Sequence, residues 1–358
     1  MPVIKFALIG CGYVSSFYIE SFKSKYKKKF EIIGSFDINK ENAIKFSNFY
    51  KCKNFLSLND IIKEKPNIVL ILTSIDSHYK LSKYFLENKI SVYCEKPPVE
   101  KLDEYKNLID IASKNDLKYS FAPCNHLNAQ TVFLKRKIES KELGSVKHIH
   151  INYKAGINIE NKPWEWINIF GSKWPAYEEF KQGVFKEHIL YILRILVSLK
   201  KDTPHKIKIL KSCDLVDKKI VKNAVYDNYI INLIYDDFLV RLELGLFFEK
   251  KMFIKVYLNE GYIFLENIRN EKLPIYLFKY KIYKNIIYKI LVKVKLNFFD
   301  RIFFTKKSFR NLEFNQSKKN VDYFNGINNL MCSDYNDYNK IKIHDEQTIK
   351  MYFDLKNL

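Results

Sequence analysis

Two short phrases in this 358-residue chain combine residue types and spacings suited to chemistry on a dinucleotide. In Gly10-Cys11-Gly12-Tyr13-Val14-Ser15, the first glycine permits a tight strand-to-helix turn. The second lets the backbone approach a pyrophosphate, and the small Ser15 in the third slot allows close helix packing. Phosphates then sit at a helix N-terminus, where N–H groups and the dipole favour negative charge. Asp37 ends the next apolar run 22 residues after Ser15, where a ribose diol is expected; its other reading is a solvated turn aspartate or a helix cap. A carboxylate there opposes a 2'-phosphate, which points to NAD without excluding NADP, Lys40 being close by. Thr73, Ser74 and His78 follow the third run; His78 is read either as a cofactor neighbour or as a solvated residue opening a helix. The second phrase is Glu95-Lys96-Pro97-Pro98. A lysine beside a nicotinamide hydrogen-bonds the reacting oxygen as charge develops on it; the plainer reading is a surface lysine before a proline turn. Lys96–Pro97 is a candidate cis bond.

These residues need a scaffold that gathers them at one edge. Residues 3–120 alternate β-branched runs with helical stretches, which predicts a doubly wound parallel α/β sheet, a Rossmann domain. Strands are expected at Ile4–Ile9, Glu31–Phe36, Ile68–Leu72, Ser91–Cys94 and Lys118–Ala122. Helices are expected at Val14–Lys25, Lys40–Phe49, Leu58–Glu64, His78–Asn88 and Leu102–Asn115. After Pro123 the pattern changes to a helix near 129–140, a strand at 147–153, a Trp- and Pro-rich loop, and an apolar helix from about Phe185 to Leu199. Five strand-like runs between Lys206 and Glu266 then follow without helices between them, predicting an open, mainly antiparallel sheet in an α+β second domain. The division expected is 1–122 and 123–358, with terminal helices at 321–331 and 345–355 and the last of them free to pack back on the first domain.

With Gly10–Ser15, Thr73–His78, Glu95–Pro97, the Glu142-Leu143-Gly144-Ser145-Val146 turn and the helix after Gly183 in this order, the chain resembles the glucose-fructose oxidoreductase and inositol dehydrogenase family (Gfo/Idh/MocA). The resemblance implies a sugar or polyol substrate, a nicotinamide cofactor, and an open sheet that often forms an oligomer interface. Family members carry Asp and His four residues apart on the first long helix of the second domain; here Glu187 and Tyr191 stand in those slots, with His188 between them. Spacing i,i+4 keeps the pair on one face. The chain is most similar to a branch with E-H-x-x-Y on this helix and A-P-C after the fifth strand, here Ala122-Pro123-Cys124. Tyr191 is then the first candidate proton carrier, His188 the second, and Glu187 an orienting group; ordinary packing is the competing reading of all three. Asn125 and His126 occupy positions where relatives place substrate contacts. Trp164, Trp166, Trp174 and Tyr177 offer flat faces to a sugar ring, Trp174 foremost, or form a hydrophobic cluster under the loop.

Composition bounds the rest. Six cysteines without CxxC spacing argue against a zinc site or a disulfide framework, so no metal is expected. Met1 to Gly12 lacks a charged start and a cleavage site and reads as a strand, and no apolar run suits a membrane span; a cytoplasmic location is expected. The net charge of +21 is unevenly spread: Lys279 to Arg310 holds ten basic residues against one acid, Asp300, and so carries +9 of it. That segment is read as a solvated insertion, as a peripheral contact for anionic lipid, or as a lure for an anionic substrate. Nucleic acid is not expected, since no recognition motif accompanies the charge. The expectation is an NAD(P)-dependent oxidoreductase moving hydride to or from a sugar, sugar nucleotide or polyol, a homo-oligomer (dimer or tetramer) with a place in surface polysaccharide metabolism. Its alternatives are a non-catalytic dinucleotide-binding sensor and a reductase of a dihydrodiol-like substrate.

Overall fold

The computed structural model describes residues 2–157, 159–200, 203–212, 226–247, 250–268, 273–283, 286–294 and 322–358. The chain forms two compact units: Met1–Cys124 with Lys162–Ala176 and Asp322–Phe353, and Asn125–Asn161 with Tyr177–Val321 and the last five residues.

The first unit holds β1 (Ile4–Ile9), α1 (Ser15–Lys25), β2 (Phe30–Phe36), α2 (Lys40–Tyr50), β3 (Lys53–Asn54), α3 (Leu58–Glu64), β4 (Ile68–Ile71), α4 (Ile75–Glu87), β5 (Ser91–Cys94), α5 (Leu102–Lys114) and β6 (Tyr119–Phe121). All strand pairs are parallel, in the order β3-β2-β1-β4-β5-β6, which is the doubly wound topology. Continuous apolar runs suit strands covered on both faces, and all four residues of β4 and of β5 are buried. Helix starts follow local chemistry: the Asn39 side chain accepts from Glu41 N and Asn42 N, and Ser57 from Asp60 N. The two-residue β3 escaped the sequence reading because so short a run has no periodicity. Helix α4 starts three residues earlier than expected, with Ser74 at its cap, so His78 lies inside the first turn and is buried. Its reading as a solvated helix-opening residue is corrected on that ground.

The terminal segment completes this unit with α8 (Asn325–Cys332, numbered after α7 below) and most of α9 (Tyr335–Lys356). Phe324, fully buried, meets the rings of Phe6, Phe22, Tyr26 and Phe30 at centroid distances of 5.1–5.4 Å. Lys118 Nζ donates to Ser333 O (2.6 Å), Tyr119 N to the Tyr338 hydroxyl (3.0 Å) and Ser120 Oγ to Asp345 Oδ2 (2.6 Å), covering the β6 edge.

The second unit carries a short 3-10 turn (Asn125–Leu127), α6 (Ala129–Glu139), β7 (Val146–Lys154), most of α7 (Ala176–Leu199) and β8 (Lys206–Ser212), β9 (Asn228–Ile234), β10 (Leu239–Gly245), β11 (Lys251–Leu258), β12 (Gly261–Leu265), β13 (Ile275–Tyr283) and β14 (Ile286–Val294). The sheet order is β14-β13-β12-β11-β7-β10-β9-β8, antiparallel except for the parallel pair β7·β10. Alternate residues of β7, β10 and β11 are buried, including Ile149, Ile151, Val240, Leu242, Ile254 and Val256. Helix α7 is interrupted at Gly183 (φ 75°), so the apolar helix expected from Phe185 is the part that follows the break. β13 and β14 form an antiparallel hairpin that takes in the start of the basic segment. Residues 295–310 lie outside the described residues.

Candidate functional site

In the first unit, the chemistry-bearing residues leave the carboxyl ends of four adjacent strands: Gly10 after β1, Asp37 after β2, Thr73 after β4 and Lys96 after β5. Strand order reverses between β1 and β4, where open α/β sheets bind ligands. A Cβ on Gly10 (φ +93°) would lie 2.7 Å from Leu72 C and O, so this turn accepts glycine alone. A Cβ on Gly12 would meet nothing within 4 Å, leaving open space at the backbone that opens α1. Ser15 Oγ donates to Gly12 O (2.7 Å) and Ser16 Oγ to Tyr13 O (3.0 Å), which ties the turn to the helix and explains a serine in the third slot. Asp37 Oδ2 accepts from Cys11 N (2.7 Å) and Oδ1 from Asn39 N (2.7 Å), so the carboxylate is oriented by the turn it neighbours and each oxygen keeps a further lone pair. An open backbone at a helix N-terminus beside a fixed carboxylate fits a dinucleotide.

The Lys96 turn is held from three directions. Glu95 N donates to Ile71 O (2.8 Å), and the buried Glu95 carboxylate accepts from Lys96 N (2.8 Å) and from the Tyr18 hydroxyl (2.8 Å). Burial and this carboxylate push the Tyr18 phenol well above its ordinary pKa, so it stays a donor. His78 presents Nδ1 to Pro97 O (2.8 Å) and Nε2 to Thr73 O (3.0 Å), fastening the turn to the end of β4. Burial lowers the His78 pKa, against the pull of these carbonyls, which favour the charged ring. The Lys96–Pro97 and Ala122–Pro123 bonds are both cis. Thr73 Oγ1 and Ser77 Oγ are 2.6 Å apart, and Ser77 Oγ donates to Ser74 O (2.8 Å).

In the second unit, α7 gathers the other candidates. Tyr191 stacks on Tyr153 of β7 (5.5 Å, 23° between planes), and His188 meets both rings, at 5.1 Å and 6.2 Å. Glu187 is buried on the same helix. Asn125 Nδ2 donates to Tyr191 O (2.5 Å) and Arg194 Nε to His126 Nδ1 (3.2 Å), so the turn after β6 is pinned along α7. A permanently charged Arg194 makes Nδ1 of His126 the acceptor and puts the ring proton on Nε2.

The loop of tryptophans also shapes the first unit, together with residues absent from the sequence reading. In the 162–176 loop, Trp166 and Trp174 stack (5.2 Å), Ile167 and Lys173 form an antiparallel bridge, and Asn168, Phe170 and Ser172 turn inward. Trp174 thus packs on a neighbouring indole in a hairpin stem. The Asn168-x-x-Gly171 turn was visible as a string, but what it grips was not. Tyr18 was equally hidden, as one apolar position of α1 among many. Among the described residues no group of three His, Cys, Asp or Glu is placed to hold a metal, and no helix is long and apolar enough to cross a membrane.

Comparisons with known proteins agree with this geometry. The model of GFO_IDH_MocA, an oxidoreductase family with an NAD-binding Rossmann fold, matches residues 4–122. Glucose-6-phosphate 3-dehydrogenase of Bacillus subtilis (strain 168) is 24% identical over 169 residues, 47% of each chain. The uncharacterized oxidoreductase YgjR of Escherichia coli (strain K12) is 25% identical over 159 residues, 42% of this chain and 45% of that one. The match therefore spans about half the length of these curated relatives. Among solved structures, UDP-N-acetylglucosamine 3-dehydrogenase GnnA from Acidithiobacillus ferrooxidans superposes with a TM-score of 0.69 at 12% identity, over 99% of this chain and 97% of that one. The WlbA dehydrogenase from Bordetella pertussis, in complex with NADH and UDP-GlcNAcA, gives 0.62 at 15% identity over 75% of each chain. At such identities the likeness establishes the two-domain fold.

Proposed function

We propose, from the match of residues 4–122 to the model of the Gfo/Idh/MocA oxidoreductase family with its NAD-binding Rossmann fold, that this chain is an NAD(P)-dependent dehydrogenase or reductase acting on a hydroxyl or carbonyl carbon of a sugar, sugar nucleotide or polyol. The observation that supports it most is the edge of the parallel sheet, where the glycine turn, Asp37 and the braced Lys96 turn leave neighbouring strands. Relatives named for glucose-6-phosphate and UDP-N-acetylglucosamine oxidation support the sugar class.

The dinucleotide, once bound, supplies the two-electron donor or acceptor. Gly12, Tyr13 and Val14 at the start of α1 receive its pyrophosphate, with Gly10 making the turn. Asp37 accepts the ribose hydroxyls and disfavours a 2'-phosphate, so NAD is the expected cofactor. Thr73 and Ser74 line the crevice beyond β4. Glu95 and His78 hold the backbone of the Lys96 turn. The Lys96 ammonium donates to the substrate oxygen as charge builds there. Tyr191 carries the proton, with His188 as the second candidate and Glu187 orienting the helix face. Asn125, His126 and Trp174 contribute substrate contacts. A role in surface polysaccharide metabolism, a homo-oligomeric assembly, a cytoplasmic location and a peripheral anionic contact through 279–310 belong to the same reading.

Turnover is measured at the nicotinamide absorbance across sugars, sugar phosphates and UDP-sugars. Lys96→Ala is expected to keep NAD affinity and lose about 10²–10³-fold in kcat. Retained turnover removes Lys96 from its role. A wild-type protein that binds NAD yet converts none of the panel overturns the enzymatic reading.

A further inference from the structure

Three consecutive carbonyls of the glycine turn face one hairpin from far along the sequence, Gly12 O and Tyr13 O in addition to the bonds they accept from Ser15 Oγ and Ser16 Oγ. Ser172 Oγ donates to Cys11 O (3.2 Å), and Asn168 Nδ2 faces Gly12 O (3.4 Å) and Tyr13 O (3.2 Å). The other side-chain atom of Asn168, Oδ1, accepts from Phe170 N (3.2 Å) and Ser172 N (2.9 Å) and so folds the hairpin tip. Gly171 (φ +88°) donates its N–H to Asn168 O (3.0 Å), closing the turn. Phe170 is the anchor: it is buried against Phe46 and Tyr50 of α2, at 5.5 Å and 5.9 Å. Ser172 Oγ also lies 3.4 Å from Asn42 Oδ1 on that helix.

In a planar trans peptide the C=O and the following N–H point in opposite directions. Holding the carbonyls of Cys11, Gly12 and Tyr13 on the hairpin side therefore aims the N–H groups of Gly12, Tyr13 and Val14 the other way as a set. We propose that Asn168 and Ser172 are positioning residues for dinucleotide binding: the 162–176 hairpin preorients the phosphate-facing amides of the glycine turn. The inference rests on the reading of that turn as a pyrophosphate site. Preorientation lowers the ordering cost of binding, so its loss appears in affinity for the dinucleotide.

The test is calorimetric titration with NAD+ on wild type, Asn168→Ala, Ser172→Ala and Ser172→Thr, together with amide hydrogen exchange of the unliganded proteins. Removing Asn168 is expected to weaken NAD+ about tenfold and Ser172→Ala about threefold, while Ser172→Thr keeps its hydroxyl and wild-type affinity. Exchange at residues 12–14 rises in the two Ala variants. Ser172→Ala deletes one hydroxyl and leaves the Phe170 anchor, so it reports even where Asn168→Ala fails to fold. Wild-type affinity in Ser172→Ala with unaltered exchange at 12–14 overturns the positioning role while leaving the dinucleotide reading standing. A wild-type protein that takes up no NAD+ overturns both.

Discussion

His78 shows how a residue type that suggests acid–base chemistry is claimed by the fold. Its two nitrogens face Pro97 O and Thr73 O, and burial drives its pKa below the usual value. The sign of the pH effect follows. A folded-state pKa below the unfolded value of about 6.5 means stability is present above the unfolded pKa and is lost as pH falls through the folded one. His78→Gln, which cannot titrate, is expected to be less stable than wild type near neutrality, with the gap closing as pH drops below about 6.5. Denaturant unfolding of both proteins across pH measures this, and parallel profiles refute it. Glycine turn, Asp37 and Lys96 were legible as candidates because each is a local string whose chemistry is carried by residue type and spacing. Tyr18, Asn168 and Ser172 were not, since their partners lie 77, 155 and 161 positions away in the chain.

Among elements, the parallel strands were legible nearly to the residue: β1 and β5 agree with expectation, and β2, β4 and β6 differ by one or two residues at their ends. Central parallel strands are short apolar runs bounded by polar turns, which is a local signal. The lysine-rich β13·β14 hairpin was only half legible, because alternation of Lys with Tyr and Ile is shared by a strand and by a biased insertion. The terminal helices were anticipated as helices, but the ring that anchors them was not. Phe324 touches four aromatic rings with no exposure, so Phe324→Ala is expected to cost about 3–5 kcal/mol, read from urea or thermal unfolding. A loss under about 1 kcal/mol would mean the α8 segment contributes little to this core.

For the whole molecule, the half-exposed face of the large sheet carries a cross-strand row of Leu239, His148, Tyr257, Tyr262 and Phe278, with Phe253, Phe264 and Tyr276 beside it. An aromatic-rich sheet face, here with Lys255 Nζ over the Tyr257 and Tyr262 rings, is a surface on which the proposed homo-oligomer would meet its own copy under a two-fold axis. Sedimentation is expected to find a dimer or tetramer, reduced toward monomer by Tyr262→Asp; a monomeric wild type refutes it. The chain's own order of residues was enough to determine the doubly wound sheet, the strand-rich second half and the glycine turn between β1 and α1, because each depends on periodicity, glycine freedom and charge within a few neighbours. Only the tertiary structure decided that residues 162–176 and 322–353 return to the first unit, that a hairpin 155 positions away grips the glycine turn, and that both nitrogens of His78 face backbone carbonyls. Those outcomes depend on which distant surfaces bury one another, a property of packing that no local pattern encodes.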